Sequence, residues 1–141
     1  MNQIEVRRYG AEHFDDTRAL WCEAFPDDPP WNAAEVAIPA KMAVQPDLFL
    51  LALHQGRVVG SALAGYDGHR GWLYLVAVLH SYRRRGVGTL LVRDAERRLR
   101  EIGCFKINLQ VRTENAVVVA FYERLGYVVE NRVSLGKRFP A

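Results

Sequence analysis

The chain has 141 residues, of which 50% are hydrophobic and 25% charged, with a formal charge of +3. That balance fits one ordinary globular domain spanning residues 1–141 and excludes wholesale disorder. The surplus of 19 basic over 16 acidic side chains is too small and too dispersed to carry nucleic-acid binding. Two cysteines, Cys22 and Cys104, cannot form a disulfide framework or a four-thiolate zinc site, so no metal is expected. Both read as buried free thiols of a reducing compartment. The first ten residues carry charge early and have no apolar h-region, and the longest apolar run is only Trp72 to Leu79. A membrane span needs roughly 20 such residues, so a soluble, cytoplasmic protein with no membrane partner is expected.

Taken in chain order, Ile4 to Arg8 reads as a strand and Phe14 to Phe25 as a helix. After the Pro26–Pro30 loop, Asn32 and Glu35 have capping-box spacing, with Trp31 and Val36 at the hydrophobic-staple positions. Pro39 then predicts either a kinked helix or two short ones. Leu48 to Leu53, Val58 to Tyr66 and Trp72 to Leu79 read as strands. Their short links make them antiparallel neighbours, and the third is apolar enough to lie centrally. A helix follows over about Val87 to Ile102, its apolar stripe formed by Val87, Leu91, Ala95 and Leu99 and widened by Leu90. Phe105 to Val111 is a strand, giving a parallel crossover with the central strand. Ala116 to Leu125 has strand propensity at Val117–Val119, yet its caps Asn115 and Gly126 and its i, i+3, i+4, i+7 spacing make it a helix. The tail, Tyr127 to Phe139, reads as one or two further strands. The expected class is α/β (α+β): a mixed central sheet of six to seven strands with helices on both faces.

Chemistry concentrates where the central strand meets the longest helix. Tyr82 is followed by Arg83, Arg84, Arg85, Gly86, Val87 and Gly88, and the helix begins at once. A glycine-containing turn at a helix start exposes unpaired backbone N–H groups at the positive end of the helix dipole. With three arginines beside it, this is an anion site suited to a pyrophosphate. A P-loop is excluded, because no Gly-x4-Gly-Lys-Ser/Thr run exists. A dinucleotide fingerprint is excluded as well, because Leu91 stands where a third Gly or Ala is required. A nucleic-acid role for the arginines lacks any accompanying aromatic platform.

These residues resemble the GNAT superfamily of N-acetyltransferases. The family's Arg/Gln-x-x-Gly-x-Gly/Ala segment is matched by Arg83, Gly86 and Gly88. Its later Asn-x6-Tyr-Glu-x-Leu-Gly-Phe/Tyr signature is matched by Asn115 and Tyr122–Tyr127. The run Gly65–Gly71 further resembles a bacterial branch of short members. The resemblance implies acetyl-CoA as donor, with its pyrophosphate on the amides of Arg83, Arg84, Arg85, Gly86, Val87 and Gly88. Its pantetheine arm would lie along Val76, Ala77 and Val78 like an added strand. A bulge in that strand would splay it from its parallel neighbour. Asn115 would contact the arm, and Tyr122 would protonate the departing thiolate.

The resemblance also implies direct transfer to a primary amine in a ternary complex, in a monomer or homodimer, the acceptor being a small molecule or a peptide. A strand N–H near Val78 would stabilise the oxyanion. Many relatives place a Glu base on the central strand, whereas Trp72 to Leu79 contains no carboxylate. Asp67, His69 or Glu35 are the candidate bases. An amine of low pKa, such as an α-amino group near 7.7–8.0, needs none. Trp31 and the proline loop lie where the family walls its acceptor cleft, so Trp31, Asp67 and His69 are the expected acceptor-side residues. The missing base leaves a second reading open, a non-catalytic acyl-CoA-binding or regulatory module of the same fold.

Overall fold

The computed structural model describes residues 3–140. The chain falls into two compact units, Met1–Leu109 and Gln110–Ala141. The first holds β1 (Glu5–Arg8), α1 (Phe14–Ala24), α2 (Ala34–Met42), β2 (Phe49–His54), β3 (Arg57–Tyr66), β4 (Gly71–Val78), α3 (Val87–Glu101) and β5 (Ile107–Asn108). Its sheet has the order β1-β2-β3-β4-β5; all pairs are antiparallel except the parallel β4–β5. The second unit holds α4 (Ala116–Arg124).

Local chemistry accounts for the hairpins. Gln55 and Gly56 both have positive φ, 53° and 79°, between the paired residues His54 and Arg57. Two left-handed residues in succession are what a two-residue hairpin needs to match strand twist. In the β3–β4 turn, the Asp67 carboxylate accepts the N–H groups of His69 (2.8 Å) and Arg70 (2.7 Å). Beyond Phe49, where β2 starts, β3 runs on from Ala64 to Tyr66, and side chains stand in for a strand there. Lys41 Nζ donates to the Ala64 carbonyl at 2.5 Å, while Gln45 exchanges two hydrogen bonds with the Tyr66 backbone.

The alternation of β3 puts a helix on each face of the sheet. A Cβ on Gly60 would lie 2.8 Å from Leu91 Cδ1 and 3.0 Å from Val87 Cγ1, so α3 packs against that face. Ser61, the next residue, faces the other way and accepts a hydrogen bond from the α1 side chain Trp21 at 2.8 Å. Gly71 repeats the device at the far end of α3, where a Cβ would lie 2.8 Å from Cys104 Sγ and 3.2 Å from Leu99 Cδ1. The core is the fully buried stretch of β2 and β3 with Leu20, Leu91, Val92, Ala95 and Leu99 from the two helices.

Several expectations need correction. The sheet has five strands among the described residues, not six or seven. No strand forms over Tyr127–Phe139, where Val128, Val133 and Leu135 stand 78%, 86% and 92% exposed. A strand is stable only when a neighbour takes up its ladder, and apolar residues alone do not supply one. β5 is limited to Ile107–Asn108. Cys104 is buried, but Cys22 is exposed. The capping box does not form. A 3₁₀ turn at Pro30–Asn32 moves the helix start to Ala34, Asn32 donates to Asp28 (3.1 Å), and Glu35 pairs with Arg18 (2.7 Å). Pro39 sits inside the single helix α2, removing one donor without dividing it. On α3, Leu90 is 41% exposed and lies outside the buried stripe.

Candidate functional site

β4 leads through Leu79 into a 3₁₀ turn, His80–Tyr82, and then the arginine segment. Arg83 is extended (φ −66°, ψ 151°), Arg84 is left-handed (φ 64°), and Gly86 is left-handed again (φ 77°) as the N-cap of α3. Left-handed residues amid right-handed or extended ones turn successive N–H groups toward one side, the geometry of an anion-binding nest. A Cβ at Gly86 would meet nothing within 4 Å. Its backbone conformation, not crowding, calls for glycine there. The first intrahelical bond of α3 is Leu90 N–H to Gly86 C=O at 2.9 Å, which leaves the N–H groups of Val87, Gly88 and Thr89 outside the helical ladder. All three arginines are exposed, while Val87 is buried against Gly60.

Three contacts hold this turn in place. Glu23 of α1 accepts the His80 N–H at 2.7 Å. The Tyr82 hydroxyl lies 2.5 Å from His54 Nδ1 at the end of β2. The Arg85 guanidinium lies 4.8 Å from the centre of the Tyr82 ring.

β4 carries an irregularity. Ala77 pairs with Ser61 and Tyr74 with Leu63, so three steps of β4 face two of β3, and the extra residue, Leu75, has φ 47°. This is a β-bulge. Beyond it, the Leu79 N–H donates to Val59 C=O at 2.9 Å. Alternation along the strand therefore points the Ala77 N–H toward β3 and the N–H groups of Val76 and Val78 toward the opposite edge. On that edge β5 pairs with Gly71 and Trp72 only, and no described strand pairs with Leu75–Val78.

The other anticipated residues belong to other elements. Tyr122 lies on α4 of the second unit, 7% exposed, with its ring edge-on to Phe121 and Tyr127 at 5.0 and 5.5 Å. Burial pushes its hydroxyl pKa up to about 12. Asn115 caps α4, its side chain accepting the Val118 N–H at 3.4 Å. Trp31 is 45% exposed in the Pro30–Asn32 turn. Asp67 and His69 sit at the Gly71 end of β4, away from the arginine turn. The seven steps from Gly71 to Val78 span about 23 Å at ~3.3 Å each. The Arg70 and His69 amides hold the Asp67 carboxyl below its ordinary pKa.

The structure thus brings together the Val76–Val78 edge and the Arg83–Gly88 turn, and keeps the β3–β4 turn apart from them. It also adds residues that sequence reasoning missed: Trp21, Ser61 and Leu75 around the bulge, and Glu23, His54 and Tyr82 beneath the turn. The one available signal was Ser61, a hydroxyl within the otherwise apolar run Val58–Leu63. Among the described residues, no group of three His, Cys, Asp or Glu could hold a metal, and no helix is long and apolar enough to cross a membrane.

Comparison with known proteins gives this arrangement its family. The profile of the acetyltransferase (GNAT) family matches residues 11–127. The chain belongs to that family. A Sodalis glossinidius acetyltransferase is 42% identical over 138 residues, covering 96% of this chain and 95% of its own length. A Yersinia pestis acetyltransferase is 39% identical over 137 residues with the same coverage. Among solved structures, an aminoglycoside N-acetyltransferase in complex with CoA superposes with a TM-score of 0.79 at 23% identity, covering 98% of this chain and 96% of that one. The PaiA N-acetyltransferase of Thermoplasma acidophilum, in complex with coenzyme A, gives 0.82 at 19% identity, covering 93% of each chain. This GNAT acetyltransferase therefore shares its α+β fold with enzymes of very different sequence.

Proposed function

We propose that this GNAT acetyltransferase moves an acetyl group from acetyl-CoA to a primary amine by direct attack in a ternary complex, with residues 1–141 working as one N-acetyltransferase domain. The observation that carries the reading is the Arg83–Gly88 turn. Its left-handed Arg84 and Gly86 and the first amides of α3, outside the helical ladder, form an anion cradle next to a strand edge that no described strand pairs. That cradle fits the coenzyme diphosphate, and the two similar structures bound to the coenzyme support the choice. The arm of the coenzyme takes the edge of Val76–Val78, beyond the two residues of β4 that pair with β5.

Each group then has a physical task. The thioester supplies an acyl carbon open to a nucleophile. A backbone N–H on the free edge of β4 stabilises the negative charge that gathers on the carbonyl oxygen. Tyr122, with a pKa near 12, stays protonated at neutral pH and donates its hydroxyl hydrogen toward the leaving sulfur. Full transfer to a thiolate of pKa about 8.5 is uphill even after the C–S bond breaks, so the hydroxyl acts by hydrogen-bonding the charge that gathers on sulfur, and the coenzyme leaves as its thiolate. Asn115 supports the arm, and the exposed Trp31 ring walls the acceptor side.

The base is where the chain is sparse. Asp67 is engaged by two turn amides, and Glu35 is paired with Arg18. The reading accordingly favours an acceptor of low pKa, such as an α-amino group, that loses its proton without a dedicated carboxylate. Calorimetry with acetyl-CoA and thiol release across a panel of amines test the proposal. Binding together with release that rises with pH along the acceptor's own titration is expected. Absence of binding at millimolar acetyl-CoA would refute it, and binding without turnover on any amine would leave only a coenzyme-binding module.

A further inference from the structure

The buried hydroxyl of Ser61 has a task that packing does not explain. Ser61 is fully buried in β3, accepts the Trp21 indole N–H at 2.8 Å and donates to the Leu75 carbonyl at 2.8 Å. Leu75 is the extra residue of the bulge, held at φ 47°. A carbonyl displaced from the ladder by a bulge needs another donor, and this hydroxyl supplies it. The Leu75–Val76 peptide is planar and trans, so its N–H points opposite to its carbonyl. Fixing the Leu75 oxygen on the Ser61 side therefore fixes the Val76 N–H on the other, the edge left free by β5.

We propose that Trp21 and Ser61 form a positioning relay that aims and polarises the Val76 N–H as the donor to the acetyl carbonyl. A hydrogen bond accepted by a peptide oxygen strengthens the same peptide as a donor, and a bond received by the hydroxyl from the indole adds to the effect. The indole link is buried, with Trp21 only 4% exposed and its ring stacked on Phe49 at 6.0 Å, and the Leu75 link is partly buried, which limits competition from water. Neither residue touches the reacting atoms; the relay acts only through the Leu75–Val76 peptide. The inference rests on the proposed coenzyme reading, in which the free edge of β4 faces the thioester.

The test compares wild type, Ser61→Ala and Trp21→Phe by thiol release with a peptide α-amine as acceptor and by calorimetry with coenzyme A and with acetyl-CoA, alongside the Val76 amide resonance in ¹H–¹⁵N spectra. Removing an oxyanion-type donor outright costs about 10²–10³ in rate, and misaiming one is expected to cost about tenfold. Ser61→Ala should lower kcat about tenfold while coenzyme A affinity stays within about twofold, because the diphosphate cradle is untouched. In the wild type, acetyl-CoA should move the Val76 resonance beyond the change produced by coenzyme A. Ser61→Ala should lose that difference and Trp21→Phe should reduce it. Ser61→Thr, which restores a hydroxyl, should recover part of it. If Ser61→Ala does not fold, Trp21→Phe, which keeps a ring in place, carries the test. A folded variant that keeps both the acetyl-dependent shift and kcat overturns the relay. Failure of the wild type to bind either coenzyme overturns the coenzyme reading instead, so the two failures are distinct.

Discussion

Arg84 offers a measurement of what the turn conformation costs. Its φ of 64° is left-handed, whereas its neighbour Arg83 is extended at −66°. A non-glycine residue in the left-handed region gives up roughly 1–2 kcal/mol, which glycine does not. Glycine in turn loosens the unfolded chain by about 0.4–1 kcal/mol. Arg84→Gly should therefore stabilise the protein by about 0.5–1 kcal/mol net, raising Tm by roughly 2–3 °C for a chain of this size. Arg83→Gly removes the same charge from the same exposed turn but relieves nothing, so it should destabilise by about 0.4–1 kcal/mol. The gap between the two, about 1–2 kcal/mol, isolates the left-handed penalty from the loss of an arginine. Thermal and urea unfolding of both variants at two salt concentrations supplies the numbers. Equal effects from the two substitutions, or destabilisation by Arg84→Gly, would refute the argument.

Three further outcomes can be checked. Thr17 is fully buried in α1, and its hydroxyl has no partner among the described residues, so Thr17→Val should raise stability by about 1 kcal/mol in urea unfolding. Tyr122 titrates near 12 when folded against an ordinary 10, so its contribution is complete below pH 10 and is lost as pH rises toward 12. That alkaline loss, roughly 2–3 kcal/mol, should vanish in Tyr122→Phe, which should also slow acetyl transfer while leaving coenzyme affinity within about twofold. Gly60→Ala places a Cβ 2.8 Å from Leu91 and 3.1 Å from the Ala77 carbonyl. It should destabilise by about 1–2 kcal/mol and weaken coenzyme binding through a displaced α3, readable by calorimetry.

Much of this was legible in the sequence, and the reasons divide cleanly. The three antiparallel strands and α3 announce themselves by apolar period, and Gln55–Gly56 and Asp67–Gly71 by turn chemistry, because neighbours a few residues apart decide those features. The arginine turn was legible for the same reason. What escaped depends on partners distant in sequence. Trp21 and Ser61 are 40 residues apart and Ser61 and Leu75 are 14 apart, so nothing local in Val76 foretells which way its amide points. The tail misled through its valines, since Val128 and Val129 have strand propensity without a ladder to join. Asn32 and Glu35 had capping spacing, but the prolines ahead of them built a 3₁₀ turn that took Asn32 out of position.

The two glycines under α3 also bear on how a ligand is met. With Gly60 beneath Val87 and Leu91, and Gly71 beneath Leu99, the helix is clamped at both ends. The amides at its start are thus ordered when the chain folds, well before any guest arrives. An anion then encounters a finished receptor, and little conformational entropy remains to be surrendered on docking. Association should accordingly be quick, slowed by added salt through screening of the three arginines, and show a single kinetic phase with no slower isomerisation behind it.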